Sequence, residues 1–338
     1  MSITEEARTI SITEDFGGRI DPHRPELLAH CYRMLGSVHD AEDLVQETML
    51  RAWRARDQYD ERRSSVRTWL YRIATNACLT ALQSRRRRPL PSGLAGPSDD
   101  PTAALTPNRE VSWLQPFPDE MLGYHGDPAT VLAARGSMRL ALIAALQFLP
   151  ARQRAVVILR EVLDYSAAET SLILDTTVAA VNSSLQRARV RLGGLSVLED
   201  ELDEPADAVS RQLLDRYVAA FENADVVALT RLLTDDAVME MPPMTNWYAG
   251  RENYGRFITR VYALRGTDWR MTPVRANGQP ALVAYLRGSD GAYHLHTLQV
   301  FTLTATGISR NTVFQDPDVF EIFGLPEVLP TDPTPRAH

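Results

Sequence analysis

The segments Asp40-Ala-Glu-Asp-Leu-Val-Gln-Glu-Thr-Met-Leu-Arg-Ala-Trp53 and Ser65-Val-Arg-Thr-Trp-Leu-Tyr-Arg-Ile-Ala-Thr-Asn76 determine how the first part of this chain folds. In both, apolar residues recur three and four positions apart, which predicts two amphipathic helices. The core-facing stripe of the first helix consists of Ala41, Leu44, Val45, Thr48 and Ala52. Its second stripe mixes polar and large apolar residues, namely Asp43, Gln46, Leu50 and Trp53. Solvent-facing surfaces rarely carry both Leu and Trp, so this stripe favours a protein contact over an exposed face with incidental apolar residues.

The second segment combines aromatic, arginine and amide side chains. Aromatic rings stack on unpaired bases, guanidinium groups neutralise phosphates and amides contact base edges, so this combination suits single-stranded DNA. A polar loop, residues 56–65, precedes the segment, and the run Arg85-Arg-Arg-Arg88 follows it. The run could be a solvated helix end, although four adjacent guanidinium groups favour a nearby polyanion. For Trp69, burial in the core is the favoured interpretation.

Residues 150–191 contain a second pattern typical of DNA binding. Ser166 and Glu169 have the spacing of a capping box, and Asp175-Thr-Thr177 separates two short helical runs. This arrangement fits a helix-turn-helix, with Val178, Val181 and Leu185 on the buried side of the second helix. The opposite side carries residue types that contact bases and phosphates, namely Asn182, Ser183, Gln186, Arg187 and Arg189. An ordinary helical hairpin with a solvated face is the alternative.

These two patterns resemble regions 2 and 4 of the extracytoplasmic-function (ECF) sigma factors, the group IV members of the sigma-70 family. For region 2 the resemblance rests on Asp43-Leu-Val-Gln-Glu-Thr, on Arg-Ala-Trp53 and on Thr68 to Asn76. For region 4 it rests on Leu149-Pro-x-x-Gln-Arg, Tyr165-Ser-x-x-Glu and Val181-x-Ser-x-Leu-x-Arg-Ala-Arg. Region 3 has no counterpart, as in ECF factors. Two departures are Arg85 to Arg88, where the family often has Asp-x-x-Arg, and Asp175 in place of the common Gly.

The resemblance implies that region 2 docks on the β′ clamp helices of core RNA polymerase and melts the −10 promoter element. It also implies that region 4 binds the β flap and the −35 element. Carried over by position, the polymerase contacts are Asp43, Gln46, Glu47, Leu50 and Trp53. The −10 contacts are Arg63, Ser64, Arg67, Arg72 and Asn76. The −35 contacts are Thr177, Asn182, Ser183, Gln186, Arg187 and Arg189.

The composition agrees with a DNA-binding protein only locally. The 338 residues carry a net charge of −7, yet residues 51–88 hold eleven arginines against three acids. There is no apolar run long enough to span a bilayer and no secretory signal, which predicts a cytoplasmic protein without a membrane partner. Cys31 and Cys78 lie on apolar helical stretches and are expected to be buried thiols, and no metal-ligand spacing is present. We therefore expect neither a metal nor a cofactor.

Breaks in periodicity predict a multidomain chain: two all-α sigma domains, a region 2 bundle and a region 4 helix-turn-helix, and a C-terminal α+β domain. In the last third, two helical segments precede strand-like runs, and Asn277-Gly278 is a strong hairpin signal. The predicted boundaries are a tail (1–21), region 2 (22–88), a linker (89–128), region 4 (129–198, with its helix-turn-helix at about 166–191), an acidic linker (199–206), the C-terminal domain (207–326) and a tail (327–338).

The C-terminal domain resembles SnoaL-like domains of the cone-shaped NTF2-like fold, on the evidence of residues 241–251 and 320–326. Together with Trp113-Leu-Gln-Pro-Phe-Pro-Asp119 in the linker, these segments are similar to the SigJ/SigG-like subgroup of actinobacterial ECF factors. That resemblance implies that the fused domain modulates sigma activity in cis, in place of a separate membrane anti-sigma factor. The residues expected to line a ligand-binding cone, with core packing as the alternative, are Trp247, Tyr248, Tyr285 and His296.

Two other functions fit parts of the sequence. Some SnoaL-like proteins are cyclases or isomerases that use Asp and His in the cone, and His294, His296 and Asp316 are the candidates here. No acid–base pair is recognisable from their spacing, so we expect no catalytic residues and no enzyme. A dimeric helix-turn-helix repressor with a sensor domain would leave residues 40–76 unexplained. An anti-sigma factor and a small ligand remain open as further partners.

Overall fold

The computed structural model describes residues 16–84, 87–123, 135–193 and 207–329. The chain forms two compact units, one of Met1–Arg88 with Asp119–Leu198 and one of Pro89–Pro118 with Glu199–His338. The predicted tails fall largely outside the described residues, as do the acidic linker, the arginines at 85–86 and residues 124–128 of the predicted linker.

The first unit is helical. In region 2, α1 (Arg24–Leu35), α2 (Val38–Arg54) and α3 (Val66–Ala81) pack on one another. Ser37 caps α2 and Ser65 caps α3, each by accepting a backbone N–H three residues ahead, which satisfies a donor that the helix leaves unpaired. Both predicted helices are therefore confirmed. Cys31 and Cys78 are buried and form no disulfide, as predicted.

Region 4 consists of α4 (Leu140–Leu146), α5 (Ala151–Val157), α6 (Ala167–Ile173) and α7 (Val178–Gly193). A π-helical turn, Ile158–Val162, extends α5. The capping box of Ser166 and Glu169 is confirmed, and Asp175 adopts a φ of 48° in the turn between α6 and α7. Asp tolerates this left-handed conformation, which explains how the turn forms without a glycine. The helix-turn-helix is thus present where the sequence predicts it.

Regions 2 and 4 pack against each other within this unit, through α3 on α6 and through α1 on α4 and α5. The buried Arg154 guanidinium ties the regions together, since it donates to the Met34 carbonyl, to Gln147 and to the Leu149 carbonyl. Burial lowers the pKa of Arg154 to about 10, which still leaves the side chain charged at neutral pH. Arg33 adds a bond of 2.7 Å to the Ser137 hydroxyl.

The second unit is a six-stranded sheet covered by helices. The strands are β1 (Leu233–Glu240), β2 (Trp247–Ala249), β3 (Trp269–Ala276), β4 (Gln279–Arg287), β5 (Tyr293–Thr304) and β6 (Gly307–Phe314), in the order β2-β1-β6-β5-β4-β3. Only the β1–β6 pair is parallel among these strands of the described chain. The helices are α8 (Asp207–Glu222), α9 (Val226–Thr230), α10 (Arg251–Arg265) and α11 (Pro317–Ile322). An α+β domain is therefore confirmed.

The predicted β3–β4 hairpin is also confirmed. Asn277 and Gly278 have φ values of 58° and 69°, the left-handed pair that a tight two-residue hairpin turn requires. In contrast, β2, α10 and α11 do not appear among the elements that the sequence predicts.

Residues 89–118, which we call the connector, pack on the second unit although they follow region 2 in the chain. The Asn277 amide oxygen accepts the Phe117 N–H at 2.8 Å, and the Asn277 N–H donates to the Phe117 carbonyl at 2.8 Å. At the other end, the Ser92 hydroxyl donates to the fully buried Glu240 carboxylate at 2.8 Å. The Trp247 indole N–H donates to the Ala95 carbonyl at 2.9 Å. The sequence predicts a linker for this segment, and its docking on the second unit was not predicted.

Candidate polymerase and promoter interfaces

The mixed stripe of α2 points away from the core. Val38, Ala41, Val45, Thr48, Met49 and Ala52 form the buried face of the helix. Asp43 and Gln46 are exposed, and Leu50 is 52% exposed on the same side of the helix. Glu47 forms an ion pair with Arg51 at 2.7 Å. The stripe thus offers acidic, amide and apolar groups side by side.

Trp53 ends the stripe in a partly covered position. Its ring lies 6.1 Å from the Phe16 ring, and the Arg56 guanidinium lies 5.3 Å above it. Trp69, from α3, lies edge-on to Phe16 with ring centroids 6.3 Å apart, and its ring lies 5.1 Å from the Tyr59 ring. Trp69 is therefore half-buried within an aromatic cluster, so the expectation of a fully buried core residue is only partly met.

The predicted −10 contacts divide into accessible and occupied side chains. Arg63 is 86% exposed in the loop before α3, and Arg72 and Asn76 are exposed on α3. Ser64 is half-buried, and its carbonyl accepts the Tyr59 hydroxyl at 3.1 Å. Tyr59 therefore holds the loop that carries Arg63 and Ser64 against the start of α3.

Arg67 is the predicted −10 contact whose side chain already has protein partners. Its guanidinium forms an ion pair with Glu26 at 2.8 Å and donates to the Tyr165 hydroxyl of region 4 at 3.3 Å. It also lies 4.9 Å from the Tyr71 ring and 5.2 Å from the Tyr165 ring, within cation–π range of both. Burial raises the pKa of Tyr71 and of Tyr165, so both phenols are neutral donors and acceptors here. The Arg67 side chain is 38% exposed, so a phosphate or base that approaches it would compete with Glu26 and Tyr165 for its donors.

The predicted −35 contacts are accessible on α7. Asn182, Ser183, Gln186 and Arg187 are exposed, and the Thr177 hydroxyl accepts the Ala180 N–H at 3.2 Å, as expected of a helix cap. Arg187 donates to the Ser184 hydroxyl at 3.1 Å. Arg189 forms an ion pair with Glu161 at 2.7 Å, although its side chain remains 63% exposed.

The structure corrects the predicted buried side of α7. Val181, Leu185 and Ala188 are buried, but Val178 is 43% exposed. Val178 occupies the first position of the helix, and the buried stripe begins one turn later at Val181. An exposed valine beside Thr177 thus belongs to the open face of the helix-turn-helix.

Of the residues predicted to line a cone, with core packing as the alternative, the structure places one at a cavity and the others elsewhere. His296 lines the cavity of the second unit, but Trp247 contacts the connector instead. Tyr248 is buried against Phe257 at 5.0 Å, outside the cavity. Leu282, Ala284 and Leu286 of β4 face the helix-side core, so the alternation of a strand directs the buried Tyr285 to the opposite face.

The candidate residues for catalysis have other roles in the structure. The exposed His294, at the start of β5, forms a hydrogen bond with Asp290 of the preceding turn at 2.9 Å, and Asp316 caps α11. Among the described residues that line the cavity, none carries a carboxylate. In the described parts of the chain no cluster of His, Cys, Asp or Glu could hold a metal ion. The described helices are too short or too polar to cross a membrane.

Two contributors to the interface were missed by sequence reasoning. Glu26 and Tyr165 hold Arg67, yet they lie 41 and 98 residues from it in the chain, and no short motif links such positions. The Tyr165 position belongs to a region 4 motif, which was a signal of its importance but not of its contact with region 2.

Helices α2 and α3 belong to a region 2 bundle, and α7 belongs to a helix-turn-helix. This combination defines a sigma-type transcription factor, and comparisons with known proteins agree. The model of Sigma-70 region 2 matches residues 20–88, Sigma-70 region 4 matches 139–192 and the SnoaL-like domain matches 214–311. The chain belongs to the ECF RNA polymerase sigma factors. It is a transcription initiation factor.

Its relatives share this organisation to different extents. It is 48% identical to the ECF RNA polymerase sigma factor SigG of Mycobacterium tuberculosis over 321 residues, covering 93% of this chain and 85% of the relative. It is 31% identical to SigW of Bacillus subtilis over 180 residues, covering 52% of this chain and 86% of the relative. The crystal structure of the Mycobacterium tuberculosis ECF sigma factor SigJ has the same fold, with a TM-score of 0.60 at 21% identity over 92% of this chain and 99% of that one.

Proposed function

We propose that this sigma factor binds core RNA polymerase in the cytoplasm through the α2 stripe and region 4, and directs initiation at promoters. Region 2 contacts the −10 element through Arg63, Arg72 and Asn76, with Ser64 and Arg67 joining them on the polymerase. Region 4 contacts the −35 element through α7. The observation that carries the proposal is the open polar face of α7, whose exposed amide and guanidinium groups have no role in the core of the unit.

Simultaneous contact with both elements requires regions 2 and 4 to separate. The elements are centred about 25 base pairs apart, which is roughly 85 Å along B-form DNA at 3.4 Å per base pair. A compact unit of about 150 residues is only roughly 40 Å across. The packed arrangement of α3 on α6 is therefore a closed form, which must open before both elements are bound. Opening would release Arg67 from Tyr165.

We further propose that the C-terminal domain modulates sigma activity through the connector. The connector joins region 2 to region 4, and its hydrogen bonds to Glu240, Trp247 and Asn277 restrain the only covalent link between them. Undocking would lengthen that link and would ease the separation of the two regions. The supporting observation is that both ends of the connector are held, so the restraint acts over its whole length.

The experiment is run-off transcription with purified core polymerase on a promoter selected by this factor. Leu50→Ala tests the α2 stripe: it should weaken core binding about tenfold, as for a central apolar contact, and leave the fold intact. Leu264→Ala, at an exposed leucine of the second unit, is the matched control. Unchanged core affinity for Leu50→Ala would contradict the polymerase assignment.

The connector is tested in the same assay with Ser92→Ala combined with Trp247→Phe, which removes two of its hydrogen bonds and keeps an aromatic ring at position 247. We expect higher run-off transcription, with a core affinity no lower than that of the parent chain. Deletion of residues 205–338 should act in the same direction. Identical transcription from all three proteins would argue against modulation in cis.

A further inference from the structure

A cavity of about 380 Å³ opens between α10 and the sheet of the second unit. Its walls are mainly apolar and include three methionines, Met239, Met241 and Met244, together with Phe257 and Trp269. Ligand pockets in proteins have volumes of about 300–1,000 Å³ and are lined in this way. Methionine side chains adapt to irregular apolar shapes, so the walls suit a flexible or flat hydrocarbon body.

The charged side chains that line this cavity are positive. Arg260 and Arg265 line it, whereas no Asp or Glu does among the described residues. Arg260 already donates to the carbonyls of Pro101 and Ala103 in the connector. Arg265 is exposed, and no residue in the described parts of the chain forms an ion pair or hydrogen bond with it. A guanidinium at an apolar cavity favours an anionic group, above all a planar carboxylate.

His296 supplies a neutral polar group beside Arg265. Its ring packs edge-on against Trp269 at 5.0 Å, and its Nδ1 atom is buried without a protein partner. Burial, together with the charge of Arg265, lowers the pKa of His296 to about 4, so the ring is uncharged at neutral pH. An uncharged imidazole can donate a hydrogen bond to a carboxylate oxygen or accept one from a hydroxyl.

The connector forms part of the cavity wall. Leu105 and Pro107 line the cavity, and the backbone between them is held in place. The Thr106 N–H donates to the Asn246 side chain at 2.7 Å, and the Thr106 carbonyl accepts the Thr245 N–H at 2.9 Å. A ligand that touches Leu105 and Pro107 binds the docked connector more tightly than the undocked one, so it must stabilise docking.

We propose that this cavity binds a small amphipathic carboxylate, with its apolar body against the methionines and its carboxylate at Arg265, and that occupancy holds the connector in its docked form. The first part rests on the second unit alone. The second part deepens the proposed modulation in cis and rests on it only for its effect on transcription.

Direct binding tests the first part. Titration calorimetry of the full chain with decanoate and with decanol compares a carboxylate with a neutral molecule of equal length. Decanoate should bind about tenfold more tightly than decanol, and Arg265→Gln should remove that preference without weakening decanol more than about twofold. Arg256→Gln, at an exposed arginine of α10 outside the cavity, is the matched control. Val261→Trp, which fills the cavity from a partly exposed helix position, should abolish binding of both molecules.

Equal affinities for decanoate and decanol, or an unchanged preference in Arg265→Gln, would overturn the carboxylate site. Absence of binding by either molecule would overturn the cavity as a site for this class of ligand. Neither result would bear on the sigma function, which is measured without any ligand.

Limited trypsin digestion tests the second part. Arg109 is exposed in the connector, just after the docked residues 105–108. Saturating decanoate should slow cleavage after Arg109 several-fold, because the protease needs an undocked segment, while cleavage after the exposed Arg63 in region 2 stays the same. The protection should disappear in Val261→Trp. Equal cleavage after Arg109 with and without decanoate would overturn the link between occupancy and docking.

Discussion

Helices α3 and α7 carry the residues proposed to contact the promoter, but they differ in how much of that surface is available. On α7 the polar face is open, and Arg187 and Gln186 meet solvent. On α3 the central Arg67 is held by Glu26 and by Tyr165 of region 4. The comparison indicates that the free protein has its −35 surface ready and its −10 surface partly covered. Polymerase binding would then complete the −10 surface by opening the unit.

The largest expected effect concerns the attachment of region 4 to region 2. Arg154→Met removes the buried guanidinium and leaves the carbonyls of Met34, Gln147 and Leu149 without their donor. Such a loss in a dry interior costs about 3 kcal/mol of unfolding free energy. Urea unfolding followed by circular dichroism measures it. Arg152→Met, at the exposed arginine of the same helix, should change stability by less than about 0.5 kcal/mol.

A smaller effect on the free energy of unfolding comes from the titration of His30 in region 2. His30 is fully buried between α1 and α3, where burial and then the charge of Arg33 lower its pKa from 6.5 to about 3. As the pH falls, His30 is therefore protonated near pH 6.5 in the unfolded chain but only near pH 3 in the folded chain. The free energy of unfolding decreases as the pH is lowered between these two values. At pH 5 the loss is about 2 kcal/mol.

Urea unfolding at pH 7 and pH 5 checks this contribution of His30. His30→Asn should be less stable at pH 7, since it loses packing, but less sensitive to acid than the parent chain. His294→Asn, at an exposed histidine, should keep the full acid sensitivity. Equal acid sensitivity of the His30 variant and the parent would show that another group titrates.

The open face of α7 is tested by Arg187→Ala in the holoenzyme. If Arg187 contacts a base, its loss should cost promoter binding about 1–3 kcal/mol and relax selection at one position of the −35 element. Fluorescence anisotropy with the promoter and with scrambled DNA separates the two kinds of contact. An equal loss on both DNAs would assign Arg187 to a phosphate.

The smallest expected effect concerns the hydrogen bond between Arg67 of α3 and Tyr165 of region 4. Tyr165→Phe removes the hydroxyl that accepts a hydrogen bond from Arg67 but keeps the ring over the guanidinium. The closed form should lose about 0.5–1 kcal/mol, which raises apparent core affinity about threefold. Tyr59→Phe, which breaks a hydrogen bond outside the contact between regions, is the control. Weaker core binding by Tyr165→Phe would mean that the contact supports the active form.

Local signals predicted the elements whose geometry depends on a few adjacent residues. The Asn277-Gly278 turn and the Ser166–Glu169 capping box are examples, because backbone conformation and hydrogen bonding are decided within four residues. Helix α10 was missed because polar, aromatic and glycine residues interrupt its apolar period. Gly255 within it is explained only by the tertiary structure, since a Cβ there would lie 2.7 Å from the Thr230 methyl group of α9.

Contacts between distant segments could not be predicted from the sequence, for a related reason. The pairing of Arg67 with Tyr165 and the docking of the connector on Asn277 depend on surfaces that exist only after each unit has folded. The same reason explains why Tyr248 and Tyr285 pack in the core and do not line the cavity: Tyr248 is covered by Phe257 of α10, and strand alternation directs Tyr285 to the opposite face of the sheet. The exposed faces of α2 and α7 were predicted more completely because each lies on a single helix.

The central claim is that regions 2 and 4 are packed together in the free protein and separate on core polymerase. Energy transfer between dyes tests it most directly, because Cys31 and Cys78 are buried and new surface cysteines can be labelled selectively. Dyes on Asp57→Cys in region 2 and Leu172→Cys in region 4, both at exposed positions, report the distance between the regions. We predict high transfer in the free protein and a large decrease when core polymerase is added. Transfer that is low in the free protein, or that is unchanged by core polymerase, would contradict the account.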